Sequence, residues 1–372
     1  MKKFPAILMG ASVFAIATFA LAQDSFPPLA TLAPPPIPDD NLMSPEKVAL
    51  GEKLFWDGRL SGNGSMPCSA CHLPDLGWGT GGPISFGYPG TKHWRNSQTI
   101  LNSAYYNKLF WEGSATSLES QAKAAAGGAV AGNGDGSMME MRLRFVPEYV
   151  SDFEEVFGTS WPHLANAWDA IAAYQRTIVT DAAQVPFDRH LAGDITAMSD
   201  AAQRGMDLFT GSAGCISCHN GALVSDQRFY NIGVAAAAEF EEDPLYQVTL
   251  RWELYQKGVP EDVYRSGDDD LGLYHVTKRP GDKSKFRTPS LRELRWTEPY
   301  MHNGAFATLQ DVVAFYNAGG GEGQTAGLQP LNLSDDEQAD LVVFLEALSM
   351  DEPFLADPPE LPETATWSEF SK

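Results

Sequence analysis

Two copies of one five-residue signature constrain this chain more than any other feature: Cys68-Ser69-Ala70-Cys71-His72 and Cys215-Ile216-Ser217-Cys218-His219. Both read C-x-x-C-H, the attachment pattern of c-type haem. The two thiols add to the haem vinyl groups, and the adjacent histidine reaches the iron as proximal ligand because the tether fixes its position beneath the ring. The 4 cysteines of the chain are all used by the two motifs. An exported chain with four cysteines would otherwise invite a disulfide framework, but the spacing overrules it. A zinc site would need about four ligands from one cluster.

The sequence around each motif repeats as well. Gly51-Glu52-Lys53-Leu54-Phe55 precedes the first and Gly205-Met206-Asp207-Leu208-Phe209 the second, so two similar haem-binding units are expected. Each unit opens as a capped helix, with Ser44 at the N-cap and Pro45 at N1 in the first, and Ser199 at the N-cap in the second. Each also needs a closing helix over its haem. Leu333-Ser334-Asp335-Asp336-Glu337 is a capping box, followed by Leu341, Phe344, Leu345 and Leu348 at helical spacing. The first-half counterpart runs from Leu164 to Val179, with Trp168, Ile171 and Tyr174 on one face.

Alternating strand patterns are scarce, so the expected fold is mainly α, with two cytochrome c-type haem domains at residues 44–183 and 184–372. The boundary is placed where turn residues break the pattern between Asp181 and Pro186. Residues 23–43 form a Pro-rich extended lead-in. Two stretches without periodicity, Gly127 to Gly136 and the acidic insertion Glu239 to Lys283, read as long loops.

Residues 1–22 have the form of a secretory signal peptide: Lys2 and Lys3, an apolar run from Ile7 to Leu21, and Ala20-Leu21-Ala22 as a cleavage signal. This predicts export to the periplasm with no membrane span after cleavage. Its removal takes away two lysines and no acid, so the formal net charge moves from −22 to −24. Such acidity argues against nucleic acid or an anionic membrane as partner and fits a basic protein or a neutral small molecule. Hydrophobic residues at 44% give 372 residues ample material for a core.

Further segments complete a resemblance. Arg95-Asn96-Ser97-x-Thr99-Ile100-Leu101-Asn102, Phe110-Trp111-Glu112-Gly113, Leu118-x-x-Gln121-Ala122, Thr288-Pro289-Ser290-Leu291-Arg292 and Thr297-Glu298-Pro299-Tyr300-Met301-His302-Asn303-Gly304 stand here in order with the two haem motifs. Together they resemble the bacterial dihaem cytochrome c peroxidases and the related MauG-type dihaem enzymes, over nearly the whole mature chain. The resemblance implies that the haem on His72 is the peroxide-reactive one, with Glu140 and Gln121 in its distal pocket. A carboxylate there can move a proton from the inner to the outer peroxide oxygen, so that the O–O bond breaks heterolytically. It also places Trp111 between the haems as an electron relay. A calcium ion between the domains would be held by the Asn96 side chain, the backbone carbonyls of Thr297 and Pro299, and waters.

Two departures from the peroxidase pattern favour the MauG-like branch. Where the peroxidases carry a methionine on the C-terminal haem, the matching position is Tyr316. Thioether sulfur favours ferrous iron, whereas phenolate favours oxidised states and suits the storage of oxidising power. Where the peroxidases cap the resting N-terminal iron with a histidine, Tyr88 stands instead, and a shifted loop would be needed to bring His93 to that iron. The implied activity is a periplasmic enzyme using H2O2, or O2 plus electrons, to form high-valent haem and oxidise a partner protein at long range. The alternatives are a peroxidase reducing H2O2 with electrons from a small cytochrome or cupredoxin, steered by charge, and a non-catalytic dihaem electron carrier.

Overall fold

The computed structural model describes residues 26–88 and 90–365. The expected signal peptide, residues 1–22, lies outside the described residues. The chain is mainly helical. In order its α-helices are α1 Pro45–Trp56, α2 Leu118–Gly127, α3 Gly136–Arg144, α4 Pro147–Phe157, α5 Leu164–Gln175, α6 Pro186–Leu191, α7 Asp200–Thr210, α8 Glu239–Glu242, α9 Pro244–Gln256, α10 Glu261–Ser266, α11 Tyr274–Thr277, α12 Leu309–Asn317 and α13 Asp335–Ala347. A two-stranded antiparallel ribbon pairs Phe229 with Arg287 and Tyr230 with Phe286.

The repeated helices begin for the reasons their sequences suggest. Ser44 Oγ accepts from Lys47 N ahead of α1, and Ser199 accepts from Ala202 N ahead of α7. Ser334 and Glu337 form the reciprocal capping box of α13. Helix α5 covers Leu164–Gln175 and buries Trp168, Ile171 and Tyr174, ending four residues short of the expected Val179.

Packing repeats along with sequence: α1 crosses α5, and α7 crosses α13. The glycine of each Gly-x-x-Leu-Phe run sits at the crossing. A Cβ on Gly51 would lie 1.9 Å from Ala170 O, and one on Gly205 would lie 2.1 Å from Asp340 O. Backbone oxygens cannot swing aside, so each helix pair is closed by the absence of a side chain. Gly205→Ala is therefore expected to cost at least about 1–3 kcal/mol through overpacking. Thermal melting checks this; an unchanged midpoint would show that the helices do not meet at Gly205.

One apolar core gathers Leu54, Phe55, Trp78, Tyr149, Phe153 and Ile171 around α1 and α5. A second gathers Phe187, Phe209, Val313, Phe344 and Leu348 around α7 and α13. Between them, Asn102 Nδ2 donates to Thr180 Oγ1 (2.7 Å), Thr180 Oγ1 donates to Glu293 Oε1 (2.7 Å), and Met350 N donates to Glu293 Oε2 (3.1 Å). The Pro-rich lead-in is extended and pinned, its Ala30 and Ala33 carbonyls accepting from Arg292 Nη2 and Tyr105 OH. The tail after α13 returns to the first core, where Trp78 Nε1 donates to Phe354 O.

The stretch from Glu239 to Lys283 corrects the expectation of a long loop. It holds α8 to α11 and forms a third core in which Tyr246, Leu250, Leu254 and Tyr274 pack with Ile84, Trp94 and Val130 of the first half. Its periodicity is hidden because α9 also exposes Leu245, Val248, Trp252 and Tyr255, so the helix reads as apolar all round. Burying Leu250 and Leu254 contributes about 1.5–3 kcal/mol each and stabilises a helix too short to persist alone. The Gly127–Gly136 stretch, by contrast, is a loop between α2 and α3.

Candidate functional site

Each C-x-x-C-H forms a 3-10 turn that brings the histidine amide back onto the first cysteine: His72 N donates to Cys68 O (3.1 Å) and His219 N to Cys215 O (3.0 Å). All four cysteines are unpaired. His72 Nδ1 lies 3.1 Å from Trp78 O, and His219 Nδ1 lies 3.2 Å from Val224 O. A carbonyl can only accept, so Nδ1 carries the proton and Nε2 presents its lone pair, the tautomer a metal ligand needs. Burial lowers the proton affinity of both rings, keeping them neutral. Trp78 (φ 61°) and Val224 (φ 51°) both adopt left-handed backbone conformations, which is uncommon for bulky and β-branched residues. Nothing in the sequence marked these two carbonyls.

Each motif opens onto its own cavity. The first, about 250 Å³, is lined by Cys68, Cys71, His72, Gln121, Trp111 and His93. The second, about 650 Å³, is lined by Cys215, Cys218, His219 and Tyr316, and also by Asn96, Thr297 and Pro299. Trp111 and Asn96 line both. The Trp111 indole donates to Asn96 O (3.0 Å), and its ring lies 6.4 Å from His302, which stacks on Phe286 at 3.7 Å.

Arg287 tests whether these cavities suit haem. Its side chain is 2% exposed, lines both cavities and stacks on Tyr106 at 3.6 Å. It donates to Gln98 Oε1 (3.2 Å) and Thr288 O (3.4 Å), while Nε has no partner and no carboxylate pairs with it among the described residues. A buried cation without an anion is costly. Haem carries carboxylates, so a guanidinium, paired thiols and an oriented imidazole together fit that group.

Tyr316 sits on α12, and burial, with the Cys215 and Cys218 thiols nearby, pushes its phenol well above its ordinary pKa. It is a neutral phenol unless a cation lies against it. Met301 lines the same cavity. The three residues expected to hold calcium all line this cavity. Asn96 Nδ2 donates to Gly82 O (2.9 Å).

Glu140, expected on the distal side, is not among the residues that line the first cavity. From α3 its Oε1 accepts from Leu164 N and its Oε2 from Trp161 Nε1, both at 3.1 Å, so it caps the start of α5. The Met-Glu-Met context did not reveal this, because the loop after α2 sets where α3 begins. His93 does line the first cavity, stacked on Trp94 at 3.6 Å with Nδ1 accepting from Arg95 N (3.2 Å). Burial and the Arg95 charge push it down to about 3, so it is neutral. Tyr88 is not on the cavity wall.

Arg95 itself is buried between Glu112 and Asp270, with Nη2 donating to Asp270 Oδ1 (2.9 Å). Asp270 comes from the insertion, so the Arg-Asn run is clamped by a segment that gave no sequence signal.

The sequence profile of the family described as di-haem cytochrome c peroxidase matches residues 45–196. The cytochrome-c peroxidase IdrP1 of Denitromonas iodatirespirans is 64% identical over 95% of this chain and 94% of that protein. The methylamine utilization protein MauG of Methylorubrum extorquens is 36% identical over 88% and 84%. A solved MauG-like protein associated with microbial copper homeostasis superposes with a TM-score of 0.72 at 30% identity, over 86% of this chain and 94% of that one. The chain belongs to the di-haem cytochrome c peroxidase family, and so is an oxidoreductase built for two haems, a peroxide substrate and a redox partner. No helix among the described residues is long and apolar enough to cross a membrane.

Proposed function

We propose that this chain is a MauG-type member of the family: it takes H2O2, or O2 plus electrons, at the haem on His72, and draws electrons at long range from an aromatic side chain of a docked partner protein. The observation that carries this reading is Tyr316 on the wall of the second cavity together with His219. We read the two haem units as residues 44–183 and 184–372, each haem held covalently by its cysteine pair, in an exported, periplasmic protein. Calcium would take the Asn96 side chain and the Thr297 and Pro299 carbonyls.

When bound, a c-type haem supplies an iron that binds peroxide and electrons for cleaving it. The chain's own residues divide the rest. His72 and His219 hold the irons, each oriented by its Nδ1 bond. Gln121 offers an amide to position peroxide. Trp111, shared by both cavities, offers an oxidisable indole between them. Arg287 supplies the charge that balances haem carboxylates. The formal net charge of −22 steers a basic partner to the surface.

Two observations favour a second reading, a peroxidase reducing H2O2 to water with electrons from a small cytochrome or cupredoxin. One is the name of the 64% identical relative, a cytochrome-c peroxidase; the other is Met301 on the second cavity wall. One equivalent of H2O2 added to the fully oxidised protein, without reductant, separates the two. The MauG-type reading expects one high-spin and one low-spin haem by EPR and an immediate, long-lived optical change. Inertness until one haem is reduced would favour the peroxidase, and inertness after reduction would leave only an electron carrier.

A further inference from the structure

We propose that Glu253, contributed by the helical insertion, is the proton-handling group of the first haem pocket. This rests on the reading that the haem on His72 is the one that meets peroxide.

Among the described residues, three carboxylates line the first cavity: Asp57, Glu112 and Glu253. Two are spent. Asp57 accepts from Arg59 and from the Tyr149 hydroxyl (2.7 Å). Glu112 pairs with Arg95 and accepts from Ser114 Oγ (2.6 Å), and these partners hold its carboxyl below its ordinary pKa. Glu253 is 6% exposed, and among the described residues its carboxyl group makes neither a hydrogen bond nor an ion pair. A buried carboxyl without partners is costly unless the pocket gives it something to bind.

Its position is built in. Helix α9 is seated by Tyr246, Leu250 and Leu254, and Tyr246 OH donates to Trp94 O (3.2 Å), beside His93 on the cavity wall. Gln121 lines the same cavity from α2. One turn beyond Glu253, Lys257 also lines the cavity and is half-buried, and among the described residues it makes no ion pair. The charges facing Glu253 are Lys257 and Arg95, which favour its ionised form, and Glu112 and Asp270, which oppose it. Burial outweighs them all and raises its pKa. A raised pKa makes this carboxyl a better proton acceptor than an ordinary surface carboxylate, which suits a group that takes up a proton and passes it on.

Glu253 would accept a proton from one peroxide oxygen and deliver it to the other. The O–O bond would then break with its electron pair going to the protonated oxygen, which leaves as water, and the remaining oxygen would be brought to the oxide level by two electrons that a bound haem supplies and the partner protein replaces. Complete reduction, H2O2 + 2H+ + 2e− to two waters, draws its two electrons from the partner protein and its protons through Glu253.

The test compares holoprotein with Glu253→Gln, Glu253→Asp and Glu140→Gln. Two readouts are made at the first haem: optical titration with cyanide, which must leave its proton on a neighbouring base as it binds, and the single-turnover rate with H2O2. Melting temperature and resting spectrum report folding. Glu253→Gln is expected to slow peroxide by about 100-fold or more and to weaken cyanide by about tenfold, the resting spectrum being retained. Glu253→Asp should recover part of both. Glu140→Gln should leave both within about twofold, any effect being confined to a lower melting temperature through the start of α5. A reactive wild type with an equally reactive Glu253→Gln overturns the assignment of Glu253 alone. A wild type that never reacts at the first haem overturns that assignment and the function proposed above together.

Discussion

Replacing Tyr316 with methionine is expected to raise the reduction potential of the second haem by about 0.1–0.3 V, within the roughly 0.8 V that axial ligands span. It is also expected to abolish any long-lived oxidised state formed with H2O2. An anionic phenolate stabilises the higher charge on iron, while a neutral thioether stabilises the lower one. The cavity makes the contrast large. Burial and the nearby thiols make the Tyr316 phenol resist ionisation by itself, so a phenolate there would need a metal cation beside it. Spectroelectrochemistry and EPR of Tyr316→Met beside Met301→Leu decide the matter, since Met301 shares the wall. A potential that moves in Met301→Leu and stays put in Tyr316→Met would assign the ligand to the thioether and favour the peroxidase reading.

Arg292→Ala is expected to cost about 3–5 kcal/mol, because it leaves Asp188 charged and alone in the second core. The Arg292 and Asp188 side chains are 0% and 1% exposed and pair in a fork, Nη1 to Oδ2 at 2.7 Å and Nη2 to Oδ1 at 3.0 Å. Nε also donates to Ala222 O (2.7 Å), three residues beyond His219, so the same guanidinium steadies the loop that ends in the Val224 carbonyl. The melting temperature should fall by roughly 10 °C, and the second haem should become heterogeneous by EPR before the first does. Arg292→Lys should recover only part, since a point charge cannot reproduce the fork. The double change Arg292→Met with Asp188→Leu should be less harmful than Arg292→Ala. If it is worse, the bonds to Ala222 and Ala30 rather than the ion pair carry the stability.

Such effects also mark where sequence reasoning runs out. The repeat, the caps of α1, α7 and α13, and the buried face of α5 were legible because each depends on residues a few positions apart. The same holds for the attachment turns, where two thiols and an imidazole are fixed by a five-residue spacing. The insertion was not legible, since α9 is apolar on both sides and its inward face is chosen by Trp94 and Val130 of the first half. Glu140 is a related case: a local motif names a carboxylate, but the start of α5 decides where it points.

By itself, then, the chain's sequence determined that it carries two haem-attachment motifs, that each lies in a repeated unit framed by a pair of helices, and that the same Gly-x-x-Leu-Phe run precedes both. These follow from short-range stereochemistry, which the order of residues specifies directly. Tertiary structure alone decided that Trp111 and Asn96 would line both cavities, that Arg287 would be buried without an anion, and that Glu253 rather than Glu140 would face the first cavity. Those placements join segments more than a hundred residues apart, as with Arg95 and Asp270. They exist only once the burial of one segment sets the dielectric and the partners of another.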